Sequence, residues 1–285
     1  PPSIWHAYEM LIGAYGAALI GFLTTAAPEW TDTEALKDRR LWTLFGLWAT
    51  GRMFGMLGWS GIGVLGGLAD LAWLTALLVY IVSVSWKEQT GHLLGFALWL
   101  GLLIACVAVT RGGALAGRFD LAGNGVQLAG LAYLGLLGLA LARITVPVTN
   151  RILDPTQKTA PFRPHPGRIN LVPGLIFLVM AGEIAGLSPA VSGFLMIAGG
   201  AVFMDRVGEH FIGRAAVRAE ILMLAGAAAL AGTGLMMTGA ARLGAPWPAI
   251  TGLHVAFMGG LGLGVFAVFC IAGLLYEGPE PLYQI

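Results

Sequence analysis

Apolar runs of about 20 residues recur along this chain with only short polar breaks between them, and that recurrence constrains the fold more than any motif does. A bilayer core about 30 Å thick is crossed by roughly 20 apolar residues in a helix. The runs fall near 5–28, 41–58, 62–85, 92–110, 121–146, 169–187, 190–206, 219–240 and 249–276, with the softest boundaries at Gly58 to Gly61 and at the Ser188/Pro189 pair. They lack the alternation over roughly ten residues that a membrane barrel requires, whereas helices satisfy their own backbone in lipid. The fold class expected is all-α: a polytopic transmembrane helix bundle of about nine helices, one transmembrane domain over residues 1–285. Composition agrees. Charged residues make up 11 % where a soluble domain averages about 25 %, which excludes a soluble enzyme. A net charge of +1 leaves no basic face for nucleic acid, and Cys106 and Cys270, each inside an apolar run, form neither a disulfide framework nor a thiolate metal cluster.

Most Lys and Arg residues fall on one side of this topology. Arg111, Arg118 and Arg242 fall on the other, and Arg52 and Arg143 lie within helices. The positive-inside rule makes the richer side cytoplasmic, with the N-terminus outside and the C-terminus inside. The first residue is Pro1 and no leader precedes the first run, so an outside N-terminus implies a missing first helix. The stretch 147–168 carries Pro155, Pro161, Pro164 and Pro166 and reads as a basic, Pro-rich, structured cytoplasmic loop. The setting expected is a bacterial inner membrane, with the lipid bilayer as the first partner.

Ionisable groups inside a bilayer are expensive and therefore informative. On this topology His6, Glu9, Arg52, Asp70 and His254 share one outer layer. Neutral imidazoles at His6 and His254 suit a metal or a haem iron, or else each is an interfacial residue bonded to backbone or water. Arg52 and Asp70, at similar depth on consecutive helices, form an ion pair, or Arg52 holds an anion such as a haem propionate in its two-pronged fork. Glu9, three residues after His6 and so on the same helix face, orients an imidazole, handles protons, or partners Arg52. Arg143 snorkels to the interface, Glu183 contacts the outer layer, and His92, His165 and His210 sit solvated at inner helix ends. Trp30, Trp59, Trp86 and Trp247 read as belt residues, and Gly199-Gly200 and Gly259-Gly260 as close-packing surfaces. No helix carries the paired or adjacent histidines of a two-haem or haem-copper core, and no phosphate-binding loop is present.

Several blocks resemble one known family. His6-Ala7-Tyr8-Glu9-Met10, followed by Gly21 through Thr31 (GFLTTAAPEWT), is similar to the NnrS signature "WHAHEM" leading into "GFLLTAVPNWTG". Leu47 through Arg52 (LWATGR) resembles "LWLAGR", Asp70-Leu71-Ala72 follows, Arg143 to Thr149 looks like "RxIPxFT", and His254 with Gly259 and Gly262 is similar to "HALTVGAIG". The resemblance runs along most of the chain in order. It implies a polytopic inner-membrane protein of about twelve helices, carrying haem with or without copper, and linked to nitric oxide or nitrogen-oxide metabolism. Tyr8 stands where the signature has its second His, Tyr276 and Ile271 where a later run has His and Arg, and apolar sequence near Leu224 where another helix has His. Only His6 and His254 remain as membrane histidines of the pattern, which counts against a copper site.

The function expected is a haem-binding protein of the NnrS type, with haem b held at His6 and His254 as metal ligands and with Arg52, Glu9 and Asp70 completing the cofactor site near the periplasmic face. Such a site binds nitric oxide or carries electrons. Two other classes compete: a structural subunit anchoring other membrane subunits of a respiratory or photosynthetic complex, and a cofactor-free transporter or channel with a polar path through Glu9, Arg52 and Asp70.

Overall fold

The computed structural model describes residues 1–156, 158–164 and 166–276. Among them are nine helices and no strand: α1 Pro2–Thr31, α2 Asp38–Gly55, α3 Gly63–Lys87, α4 Leu94–Leu115, α5 Phe119–Leu153, α6 Leu171–Ile184, α7 Pro189–Val207, α8 Ala219–Arg242, and α9, which runs from Ala249–His254 through Val255–Leu261 to Gly262–Tyr276. They follow the nine apolar runs in order. Seven are long and apolar enough to cross a membrane, so the chain is a multi-pass membrane protein. The exceptions are α2, whose 18 residues include Asp38, Arg39, Arg40 and Arg52, and α6, which has 14 residues.

The two soft boundaries are real breaks. Between α2 and α3 the backbone takes positive φ at Gly58 (105°) and Gly61 (57°), a region that residues with a Cβ rarely adopt. Before α7, the Ser188 hydroxyl accepts from the Val191 amide and Pro189 opens the helix, a start signal for a new element. The largest shift is at α5, which continues past Pro147 to Leu153, so the connection begins at Asp154. A proline inside a helix withdraws one backbone donor, a loss that membrane helices tolerate. The connection is structured as expected. Asn150 exchanges two hydrogen bonds with the Phe162 backbone, at 3.2 and 2.7 Å, and Asp154 accepts from the amides and hydroxyls of Thr156 and Thr159.

The chain divides into two compact units, Pro1–Tyr133 and Leu134 onward. In the first, α2 lies against α3 at backbone contact: a Cβ on Gly66 would stand 2.8 Å from the Gly55 nitrogen and 3.2 Å from the Gly51 oxygen. Trp73, Leu74, Leu77, Phe96, Leu100 and Leu103 are fully buried and make its core. The second is built on small residues. A Cβ on Gly200 would stand 2.5 Å from the Gly232 oxygen, joining α7 to α8, and one on Gly260 would stand 2.5 Å from the Ala231 nitrogen, joining α9 to α8. Both glycine stretches singled out in the sequence are thus helix contacts, the small-residue packing usual in membranes.

Candidate functional site

Three charged residues of the first unit, Glu9, Arg52 and Arg111, gather about Asp70. Its side chain is 0 % exposed and its carboxylate has four donors. Oδ1 accepts from the Arg52 guanidinium and, at 3.4 Å, from Trp73 Nε1; Oδ2 accepts from the Tyr8 hydroxyl at 2.8 Å and from Arg111 Nη2 at 2.8 Å. Arg52 turns its other Nη to Glu9 Oε2. Arg111 also lies over two aromatic faces, 4.5 Å from the Tyr8 ring centre and 4.8 Å from that of Trp59, and the two rings meet edge to face at 5.4 Å. Two guanidiniums, two carboxylates and a neutral phenol sum to zero charge, the condition under which ions are tolerated in a low-dielectric interior.

Local sequence explains how these groups meet. Gly51 sits beneath Asp70, and a Cβ there would collide with its carboxylate, so the glycine that lets α2 touch α3 also makes room for the acid. On α1, residues Glu9–Ala14 form a π-helical stretch in which the Tyr15 amide reaches back five residues to the Met10 carbonyl. Trp48 Nε1 donates to the Gly13 carbonyl at 2.9 Å, satisfying an oxygen at the irregularity. The widened turn brings Tyr8, Leu11, Ile12 and Gly13 all to the buried side.

Of the sequence-predicted site residues, the structure brings Glu9, Arg52 and Asp70 together. The ion pair of Arg52 with Asp70 and the partnership of Arg52 with Glu9 are both present. His6 stands exposed on α1, one turn before the π stretch. His254 belongs to the second unit. It too is exposed and it too is followed at once by a π stretch, Val255–Leu261, where the Gly262 amide reaches Phe257. His254 Nδ1 lies 2.9 Å from the Ile250 carbonyl. A carbonyl only accepts, so in the neutral ring Nδ1 carries the proton and Nε2 the lone pair. Local departures of this π kind occur frequently at functional sites. Among the described residues, no group of three His, Cys, Asp or Glu side chains comes together to hold a metal.

Three contributors escaped the sequence reading. Arg111 was placed outside the membrane because the apolar run was ended at residue 110, yet α4 continues to Leu115. Its apolar flanks, Val107 to Val109 before and Ala114-Leu115 after, were the available signal. Trp59 packs on Tyr8 and Arg111. Tyr8 carries no hydropathy signal at all. In the second unit, Glu183 is held by both Nη of Arg242, and His210 is buried, not solvated: it is 3 % exposed with Nδ1 3.2 Å from the Arg206 carbonyl. Arg206 is likewise buried, paired with Glu209 at 3.1 Å. Trp86, 77 % exposed at the end of α3, fits a belt position. His92 is exposed, and His165 lies outside the described residues.

A family model described as NnrS protein matches residues 1–284. No curated protein and no solved structure matches.

Proposed function

Because the chain belongs to the NnrS family, we propose that it is a haem-binding integral membrane protein of the NnrS type, with His6, His254 or both supplying the axial imidazole. The observation that carries this reading is the state of His254. Its Nδ1–H is tied to the Ile250 carbonyl, which fixes the ring of an exposed residue and leaves the Nε2 lone pair for a ligand bond, the arrangement typical of ligating imidazoles. His6 shares the exposure and the adjoining π stretch. The donor set suits a haem iron better than copper, since one imidazole suffices for a haem in a five-coordinate site, while no multi-residue cluster is present among the described residues.

Haem held there supplies an iron that binds a diatomic molecule such as nitric oxide or passes single electrons. The chain's own residues do the rest. Both Nη groups of Arg52 are engaged by carboxylates of this chain, which supports a role as charge partner rather than propionate holder. Tyr8, Glu9, Arg52, Asp70 and Arg111 anchor the inward face of α1, and so set the position at which His6 is presented. The same mutual pairing speaks against a solute path through Glu9, Arg52 and Asp70. A bacterial inner membrane with the site toward the periplasm is part of this proposal.

The test is a pyridine haemochromogen assay with metal analysis on the detergent-purified protein, repeated for His6→Ala and His254→Ala. Haem in the wild type and its loss in either variant is the expected result. A wild type without a haem b band overturns the reading.

A further inference from the structure

The two carboxylates of the buried network are not equivalent. Asp70 has a donor on every side, two arginines, a phenol and an indole, and is 0 % exposed. Glu9 uses only one oxygen. Oε2 accepts from Arg52, while Oε1 is buried and, among the described residues, has no hydrogen-bond partner. A buried carboxylate oxygen without a donor is costly, and native structures resolve such atoms with a water or a proton.

Glu9 lies at the edge of the network. Gly55 leaves the gap: a Cβ there would stand 3.0 Å from Glu9 Oε1 and 3.5 Å from Arg111 Nη2. The Glu9 side chain is 17 % exposed where that of Asp70 is 0 %, so Glu9 borders the surface although its Oε1 is itself buried. The groups facing it are Arg52 from α2, Asp70 from α3, Arg111 from α4 and Tyr8 on its own helix, with His6 one turn earlier on α1. The nearby guanidiniums repel a metal cation but leave one small cation that needs no further ligands.

We infer that Glu9 is an exchangeable proton site, with the proton carried on Oε1. Loading takes one proton from hydronium in the surrounding water, breaking one O–H bond there and forming one on Oε1. The Oε2 contact with Arg52 is kept, and the network passes from zero to one positive charge. Asp70 serves as the permanent counter-ion that holds both arginines while Glu9 changes state. The site needs no haem, and its test is therefore independent of the ligand roles of His6 and His254.

The experiment is a pH-titrated infrared difference spectrum of the full chain in detergent, with and without 13C-labelled glutamate. Among the protonated-carboxyl bands that appear on acidification, we expect one that shifts with the glutamate label and is absent from Glu9→Gln. Should Glu9→Gln fail to fold, Glu9→Asp moves the band's midpoint and removes its sensitivity to the label. A wild type with no glutamate band, a band that survives Glu9→Gln, or an unmoved band in Glu9→Asp overturns the proposal.

Discussion

Tyr8 donates its phenolic hydrogen to Asp70 Oδ2 at 2.8 Å, joining the first helix of the chain to the third across 62 residues of sequence. The same oxygen takes Arg111, whose guanidinium lies on the face of the Tyr8 ring, so a single phenol is hydrogen-bond donor at its tip and cation platform at its face. The pairing makes Asp70 the centre of the first unit. Removing an acid surrounded by two arginines differs in kind from removing one of its several donors.

Asp70→Ala leaves Arg52 with Glu9 alone and Arg111 with no carboxylate. Stranding a buried charge costs about 3–5 kcal/mol. Tyr8→Phe keeps the ring, the cation platform and three of the four donors to Asp70. Its cost is that of one hydrogen bond, about 0.5–2 kcal/mol, and the lower half of that range is usual in membranes. Thermal unfolding in detergent checks the order: Tyr8→Phe lowers the midpoint by a few degrees, whereas Asp70→Ala yields little monodisperse protein. Equal losses in both would show that the charges are not what Tyr8 and Asp70 contribute.

Gly51 tests the contact between α2 and α3. A Cβ there would overlap the Asp70 carboxylate and stand 3.6 Å from the Gly66 oxygen, whereas a Cβ on Gly46, in the same helix, would meet nothing within 4 Å. Gly51→Ala therefore destabilises by about 1–3 kcal/mol, the cost of forcing atoms into a filled interior. Gly46→Ala is neutral or stabilising by up to about 1 kcal/mol, because alanine is the better helix former. The pair of melting curves separates a local clash from a general effect of losing glycine in α2.

The legible part of this molecule was whatever hydropathy and charge record locally. Each of the nine runs became a helix because a segment in lipid must close its own hydrogen bonds, and Ser188 and Gly58 marked breaks that backbone chemistry enforces. Arg52, Asp70 and Glu9 stood out as charges where charges are costly. Arg111 did not, because its visibility depended on where α4 was taken to end, a matter of one residue. The π stretches had no local signature either: they arise from tertiary partners such as Trp48, which lies 35 residues from the carbonyl it satisfies. His210 looked solvated because the turn that buries it, Gly208–His210, follows a helix end that sequence alone places near the surface.

Asp154 gives a prediction in pH. Hydrogen bonds from the Thr156 hydroxyl first, and then from Thr159, hold its carboxyl down to about 2, below the ordinary 3.8. A depressed folded value means that its contribution is complete above the ordinary value and is lost as pH falls from about 4 through 2. The group is fully exposed, so the effect is on loop order rather than on global stability. Proteolysis of the connection by a protease active at both pH values is expected to move part of the way toward that of Asp154→Asn at pH 3 and to stay slower than in Asp154→Asn at pH 6. Equal resistance of wild type and Asp154→Asn at pH 6 would remove the role assigned to this acid.

Trp48→Phe tests what fixes the π stretch of α1. The indole supplies the donor to the Gly13 carbonyl, and Phe keeps most of the volume without it. An orphaned buried carbonyl costs about 1–3 kcal/mol, and a return of residues 9–14 to α-helical bonding would recover part of that. Such a return drops the extra residue from the turn and rotates the preceding segment, which carries Tyr8 away from Asp70 and Glu9 away from Arg52. Amide exchange reads the change directly. The Tyr15 amide, bonded to Met10 five residues back, is expected to exchange at least about tenfold faster in Trp48→Phe, since each 1.4 kcal/mol of local stability is a factor of ten. Exchange that stays uniform through residues 9–15, with the melting midpoint unchanged, would mean that the packing of Leu11 and Ile12 alone holds the turn open. In that case the charged network would be its consequence.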